Sequence, residues 1–334
     1  MIPAPDGSRP DRNLALELVR VTEAGALSSA RLVGMGDKEG ADQAAVDGMR
    51  AMLDTVHMDG IVVIGEGEKD EAPMLFNGEQ VGDGSPPQVD VAVDPLEGTT
   101  LAAKGMPNAL SVMAVSQRDT MFDPGPCVYM EKLAGGEDIG DLLDLDRPLP
   151  ETLRLVAKRR SVQISDLTVV VLERARHEAG VTAIRNAGAR VRFILHGDVA
   201  ASLMSSQPET QVDLLWGIGG TPEGVISAAA IKCIGGRLVG RLWPRDDAER
   251  AAALEAGYDL QQQLTQDDLV RGEDCFFSAT GITDGDVLHG VRYEGAGARS
   301  ATTESLVMRS RSKTVRRITA RHDRAKLREL GRLH

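Results

Sequence analysis

Apolar residues recur along this chain in two different periods, and their alternation predicts its layers. From Leu14 to about Leu32 the spacing is helical, with Leu14, Leu18, Val21, Gly25 and Ser28 on one face beside small residues suited to close packing. Residues 34–41 form a glycine-punctuated loop, and Asp42 then precedes a second helix with Ala45, Met49, Met52, Leu53 and Val56 facing inward. On spacing alone, Asp42 reads as that helix's N-cap. Apolar runs at 61–64, 89–93 and 109–116 have the length of buried strands. A Pro/Gly turn at 123–126 follows, then an acidic, Gly- and Pro-rich stretch at 135–150. Beyond it, strand patterns at 167–172, 191–195 and 212–216 each precede a helical one, at 177–186, 198–205 and 222–234. Residues 246–264 read as an Ala- and Gln-rich helix, and strands return at 275–279, 287–293 and 306–308. Such alternation predicts a layered α/β fold. The 135–150 stretch is the expected lobe boundary, dividing the chain into 1–145 and 146–334.

Composition narrows the function. Aromatic residues are only 3% of the 334, so Ala, Val, Leu and Ile must do the packing. Residues 309–334 hold ten Lys/Arg against two acids, a local +8 that leaves the rest of the chain at −20 against the overall −12. That field argues against nucleic-acid binding by the main body. The basic tail reads as a solvated or subunit-contacting surface. Cys127, Cys233 and Cys275 lie far apart with no CxxC spacing, which suits buried small apolar residues better than a disulfide framework or a zinc site. No apolar stretch approaches the ~20 residues of a membrane span. Residues 1–12, rich in Pro, Asp and Arg, read as a flexible lead-in and not as a signal peptide, so a cytoplasmic protein is expected.

The strand ends carry the chemistry. One apolar run ends in Ile64-Gly65-Glu66-Gly67-Glu68, and another in Asp94-Pro95-Leu96-Glu97-Gly98-Thr99-Thr100. Glu66, Asp94 and Glu97 brought together would repel one another unless a cation neutralised them. Hard divalent ions take oxygen ligands, so Mg²⁺ or Mn²⁺ fits. Gly98 and the two threonines read as a helix start, whose backbone N–H groups suit an anion. Cation ligands beside an anion site point to chemistry on a phosphate. In the second half, Gly219-Gly220-Thr221-Pro222-Glu223-Gly224 follows a strand and opens a helix. Glu223 is either an acid favoured by the helix dipole or a further carboxylate on the metals.

Together these motifs resemble the lithium-sensitive, metal-dependent phosphatases, a superfamily that includes inositol monophosphatases. The wider set is similar to the class II fructose-1,6-bisphosphatases of bacteria, from about Leu14 to Ile318. That set adds Gly36-Asp37-Lys38 with Ala41-Asp42, Glu71-Ala72-Pro73-Met74-Leu75, Asp198-Val199-Ala200-Ala201-Ser202 and Phe277-Ser278-Ala279-Thr280-Gly281-Ile282-Thr283. The resemblance implies a layered αβαβα sandwich of the sugar-phosphatase type, two lobes with the active site in the cleft between them. It implies that Asp42, Glu66, Asp94, Glu97, Glu223 and the Leu96 carbonyl hold two or three Mn²⁺ or Mg²⁺ ions. Glu97, Gly98, Thr99 and Gly220 would contact phosphate and sugar, and Tyr129 the substrate.

Two departures stand out. Arg174-Ala175-Arg176 occupies the family's usual Lys-Pro-Arg and should hold the second phosphate; Arg for Lys keeps the charge but trades a point for a planar fork. His196-Gly197-Asp198 stands where many members have Asp-Gly-Asp, leaving His196 either a sugar contact or a structural histidine. His177 reads as a solvated helix residue. The implied reaction is hydrolysis of the 1-phosphate of fructose 1,6-bisphosphate by a metal-activated water, in a homo-oligomer (dimer or tetramer). Thr99 would relay the water's proton, aligned by Asp42 or Glu66, between which the sequence does not choose. Sedoheptulose 1,7-bisphosphate and inositol phosphates remain alternative substrates. A haloacid-dehalogenase mechanism at Asp94 would need a second acid at the position Leu96 occupies, and leucine cannot protonate a leaving group.

Overall fold

Helices α1 (Ala15–Ser29) and α2 (Lys38–Leu53) begin the fold, and their small-residue faces let them approach closely. The structure is a computed structural model that describes residues 13–67, 74–295 and 299–329. The lead-in at 1–12, Glu68, the Glu71-Ala72-Pro73 part of the motif and the last five residues of the tail lie outside the described residues. After α2 come β1 (Asp59–Ile64), β2 (Gln80–Val81), β3 (Gln88–Glu97), α3 (Thr99–Ala103) and β4 (Leu110–Gln117). The chain then moves to a second sheet with β5 (Tyr129–Gly135), α4 (Leu149–Arg160), β6 (Thr168–Leu172), α5 (Glu178–Asn186) and β7 (Arg190–Ile194). That sheet is completed around α6 (Asp198–Ser205), β8 (Leu214–Gly220), α7 (Thr221–Ile234), β9 (Arg237–Leu242), α8 (Asp247–Glu255), β10 (Leu264–Thr265) and α9 (Gln266–Leu269). Finally β11 (Phe276–Gly281), β12 (Arg292–Glu294), β13 (Ser300–Arg309) and β14 (Thr314–Asp323) return to the first sheet.

The first sheet runs β12-β13-β11-β4-β3-β1-β2, with β14 paired to β13; the second runs β10-β9-β5-β8-β6-β7. Apolar cores fill the four interfaces between five layers. Leu18, Val21, Met49 and Leu53 of α1 and α2 pack on Val89, Val91, Val93, Met113 and Val115. Between the sheets, Val199, Leu203, Val225 and Ile231 of α6 and α7 meet Ala92, Val112 and Ala114 on one side and Met130, Val170 and Leu215 on the other. Outside the second sheet, Leu153, Val156, Val181 and Ile184 of α4 and α5 cover Leu133, Val169, Val171 and Leu214. The order is therefore αβαβα, as the resemblance implied. Among the described residues no helix is long and apolar enough to cross a membrane.

Several expectations need correction. Asp37, not Asp42, caps α2, its carboxylate accepting from the Gly40 amide at 2.9 Å, so Asp42 sits inside the helix. The 246–264 helix ends at Glu255, after which Tyr258 turns in to pack edge-on against Phe122 at 6.0 Å. Of 287–293 only the last two residues are in a strand, β12. Sheet membership does not follow the 145/146 division, because β5 already lies at the heart of the second sheet and β11 pairs with β4 in the first. The basic tail, for which no strand was expected, forms β14 and pairs with β13 over its whole length. Its exposed Arg316, Arg317 and Arg321 hide any apolar alternation, and charge on an edge strand blocks further pairing. All three cysteines are buried, as expected.

Gly48 marks a close approach of α2 to α1: a Cβ there would lie 2.4 Å from Ser28 Oγ and 2.6 Å from the Ala24 carbonyl. A backbone carbonyl cannot turn aside. Gly48→Ala should therefore destabilise the protein by about 1–3 kcal/mol, although alanine is favoured over glycine inside helices. Urea unfolding measures this, and an unchanged or raised midpoint would contradict the packing.

Candidate active site

A strand alternates its side chains, so residues three apart normally face opposite ways. On β3, Val89, Val91 and Val93 face α1 and α2, while Ala92 faces the layer between the sheets. Asp94 continues the Ala92 side, and Glu97 should then point away. The register of β3 against β4 shifts between Asp94 and Glu97, and this bulge brings both carboxylates to the same cavity. Gly98 follows at φ +85°, a left-handed turn that starts α3 and sets Thr99 and Thr100 on the cavity wall. Glu66, just past β1, enters from beside them, Asp42 from α2, and Glu223 from the first turn of α7.

The cavity, about 620 Å³, lies between the two sheets. Asp42, Glu66, Asp94, Leu96, Glu97, Gly98, Thr99, Tyr129, Arg174, Arg176, His196, Gly197, Asp198, Gly220 and Glu223 all line it, so nearly every candidate is brought to one place. Ala175 is not among them: it begins a short turn and faces a separate cavity with Glu178 and Phe193.

The acids strain one another. Burial and then the charges of Glu66, Glu97, Glu223 and Asp42 push the Asp94 carboxyl well above its ordinary value. Burial, reinforced by Asp42, raises Glu66 to about 7, and burial raises Glu97 to about 8. Asp42 and Glu223 are also raised, by burial foremost. Glu97 accepts from the Val199 amide at 3.2 Å through Oε1, while its buried Oε2 meets no donor. Among the described residues, no three such side chains are already set in ligating positions around a common point. They share a cavity and a charge problem, and an all-oxygen donor set with an orphaned buried carboxylate oxygen fits a hard divalent cation.

The same cavity is also lined by two arginines. Arg176 donates from Nε (3.2 Å) and Nη2 (2.7 Å) to the Ile218 carbonyl and lies over the Tyr129 ring at 4.9 Å. Arg174 donates to the Glu173 and Leu195 carbonyls, each at 2.8 Å. Both guanidiniums are thus held in place with N–H groups to spare. Burial first, and then Arg174, Lys38 and Lys104, depress the His196 pKa, which keeps that ring neutral amid cations.

Three further points differ from the sequence reading. Thr99 Oγ1 donates to the Leu96 carbonyl at 3.2 Å and not to Asp42 or Glu66. His177 is buried: its Nδ1 pairs with the Leu172 carbonyl at 2.7 Å, and its Nε2 accepts from the Ile218 amide at 2.7 Å. It braces the Arg174–Arg176 turn against β8. Lys132, overlooked entirely, donates to Asp198 and to the Gly220 carbonyl from behind the cavity. Its only signal in the sequence is a lysine immediately before Leu133-Ala134.

Five αβαβα layers with an acid-rich, arginine-faced cleft between the sheets define the sugar-phosphatase type of fold. A family model described as bacterial fructose-1,6-bisphosphatase, glpX-encoded, matches residues 12–322. Fructose-1,6-bisphosphatase class 2 of Haemophilus influenzae is 45% identical over 327 residues, covering 93% of this chain and 96% of that protein. Fructose-1,6-bisphosphatase 1 class 2 of Escherichia coli K12 is 45% identical over 324 residues, covering 93% and 95%. The chain belongs to the glpX-type class II fructose-1,6-bisphosphatase family.

Raised carboxyls make stability depend on pH in a definite direction. A carboxyl whose folded value is raised stabilises the fold while protonated, and that contribution is lost as pH rises through the folded value. For Glu66 and Glu97 the window runs from 4.5 up to about 7 and about 8. Metal-free protein should therefore lose thermal stability across this window, Glu97→Gln should flatten the fall, and excess Mn²⁺ should raise Tm at its upper end. A Tm that climbs with pH in wild type and variant alike would contradict the crowding of these acids.

Proposed function

We propose that this protein hydrolyses the 1-phosphate of fructose 1,6-bisphosphate, yielding fructose 6-phosphate and phosphate. What carries the reading is one cavity lined both by the buried carboxylates and by the Arg174/Arg176 pair, matched to a substrate with a phosphate at each end. Asp42, Glu66, Asp94, Glu97, Glu223 and the Leu96 carbonyl would hold two or three Mn²⁺ or Mg²⁺ ions. Such ions, when bound, polarise a phosphoryl oxygen, make water a better nucleophile near neutral pH and offset charge on the leaving oxygen.

The chain's own groups supply position and proton control. Arg174 and Arg176 clamp the 6-phosphate, with Tyr129 stacked under Arg176 and beside the sugar. His196, Gly197 and Asp198 face the sugar hydroxyls. Backbone at Gly98, Thr99 and Gly220 borders the 1-phosphate, where amides aimed at its oxygens gain strength as negative charge builds. Because the Thr99 hydroxyl hydrogen is committed to the Leu96 carbonyl, its oxygen is left to accept from the attacking water and aim it at phosphorus. The proton then passes to the acid side, to Asp42 or Glu66. The new P–O bond forms as the bond to the C1 oxygen breaks, and that oxygen takes a proton from solvent, while the proton held by Asp42 or Glu66 returns to solvent afterwards.

Asp94→Ala or Glu97→Ala should lower phosphate release on the order of 10² or more. Arg176→Met should instead raise KM for fructose 1,6-bisphosphate by roughly 10–100-fold, the loss of charge-assisted hydrogen bonds to a phosphate. A colorimetric phosphate assay with Mn²⁺ or Mg²⁺, with and without Li⁺, checks both. Running fructose 1,6-bisphosphate, sedoheptulose 1,7-bisphosphate and inositol 1-phosphate in parallel tests the substrate. Faster release from inositol 1-phosphate, or near-normal turnover by the Asp94 variant, would overturn the assignment.

A further inference from the structure

Lys132 lies on β5 between two neighbouring strands, opposite Gly217 of β8 and Gly240 of β9. It is 1% exposed. A lysine so enclosed stays charged only with an anion beside it, and Asp198, 6% exposed, is that anion. The ammonium donates to Asp198 Oδ2 and, at 2.9 Å, to the Gly220 carbonyl. The niche is cut to fit: a Cβ on Gly219 would lie 1.8 Å from Asp198 Oδ2 and 3.0 Å from Lys132 Nζ, so any larger residue would break the pair.

Both acceptors border the catalytic cavity, whereas Lys132 is not among the described residues lining it. Its influence is therefore indirect. Asp198 opens α6, whose next amide donates to Glu97; Gly220 precedes α7, whose first turn carries Glu223. One buried cation thus ties the starts of two helices together, one facing the sugar and the other facing the ions. Resting on the function proposed above, we infer that Lys132 is a positioning residue of the sugar side, holding the Asp198 carboxylate in the orientation that receives the substrate's hydroxyls.

The test uses Lys132→Met, Asp198→Asn and the double variant in the full-length protein with Mn²⁺. Lys132→Met should raise KM for fructose 1,6-bisphosphate about tenfold or more, with kcat changed less than about threefold. A purely structural pin would lower Tm and leave KM alone. Because Lys132 acts through Asp198, the double variant should match Asp198→Asn in KM within about twofold. Wild-type KM in Lys132→Met, or a double variant about tenfold worse than Asp198→Asn, overturns the inference. Should Lys132→Met fail to fold with its unpaired buried anion, the comparison of Asp198→Asn with the double variant decides alone. Crystal structures of the variants that lack Lys132 give a readout free of any substrate: residue 198 should leave the niche beside Gly219, and its staying put refutes the positioning role. If wild-type protein released no phosphate from fructose 1,6-bisphosphate, the functional reading would fail separately, and those structures would still decide the role of Lys132.

Discussion

Repulsion among carboxylates is the constraint around which this molecule is arranged. Asp94 feels four other acids, and the fold sets them along one cavity from α2, the end of β1, the bulge in β3 and the head of α7. No single element could present so many like charges on its own surface without losing stability. Distributing them over both sheets lets the apolar cores supply the stability while the cavity holds the tension. Each charge that enters the cleft to relieve that tension then stabilises the fold and equips the site at once. The fold already answers part of the tension with Lys132 and part with the Val199 amide.

The arginines follow a different logic. Arg174 and Arg176 are steadied by neutral carbonyls at Glu173, Leu195 and Ile218, and neither forms a salt bridge among the described residues, so their charge is left largely for a ligand. His177 secures the turn that carries them by bonding at both ring nitrogens to backbone of β6 and β8. The same cavity is thereby lined by crowded acids and by guanidiniums that no acid neutralises among the described residues. A ligand with a phosphate at each end suits such a cavity better than a ligand with one.

Much of this was legible in the sequence, for reasons that can be named. Asp94, Glu97 and Glu66 stand at the ends of apolar runs, where a buried strand must stop and its polar residues must go somewhere. Both halves of the sandwich could be read because α5, α6 and α7 each follow a strand at short range. What escaped detection depends on distant partners. Asp42 looked like a cap because the actual cap, Asp37, lies five residues earlier in a stretch that reads as loop. Lys132 has no motif of its own; its meaning comes from Asp198 and Gly220, far along the chain. His177 looked solvated because its neighbours Arg176 and Glu178 are charged, whereas Trp216 and the strand ends that enclose it come from elsewhere. The β14 strand was hidden by its arginines, since an edge strand needs little apolar alternation.

The return of β11 to β4 has a consequence for how the molecule is made. Val115 stands opposite Phe276 in the ladder, and the whole second sheet is inserted between them in the chain. During synthesis β4 must wait, its apolar flank uncovered, until residues 276–281 leave the ribosome. Loop-closure entropy on that scale slows assembly, and the early half alone is left as a half-built sheet with a sticky border. The first sheet is therefore completed late, after every described residue that lines the acid-rich cleft, the last of them Ile226, has already been made.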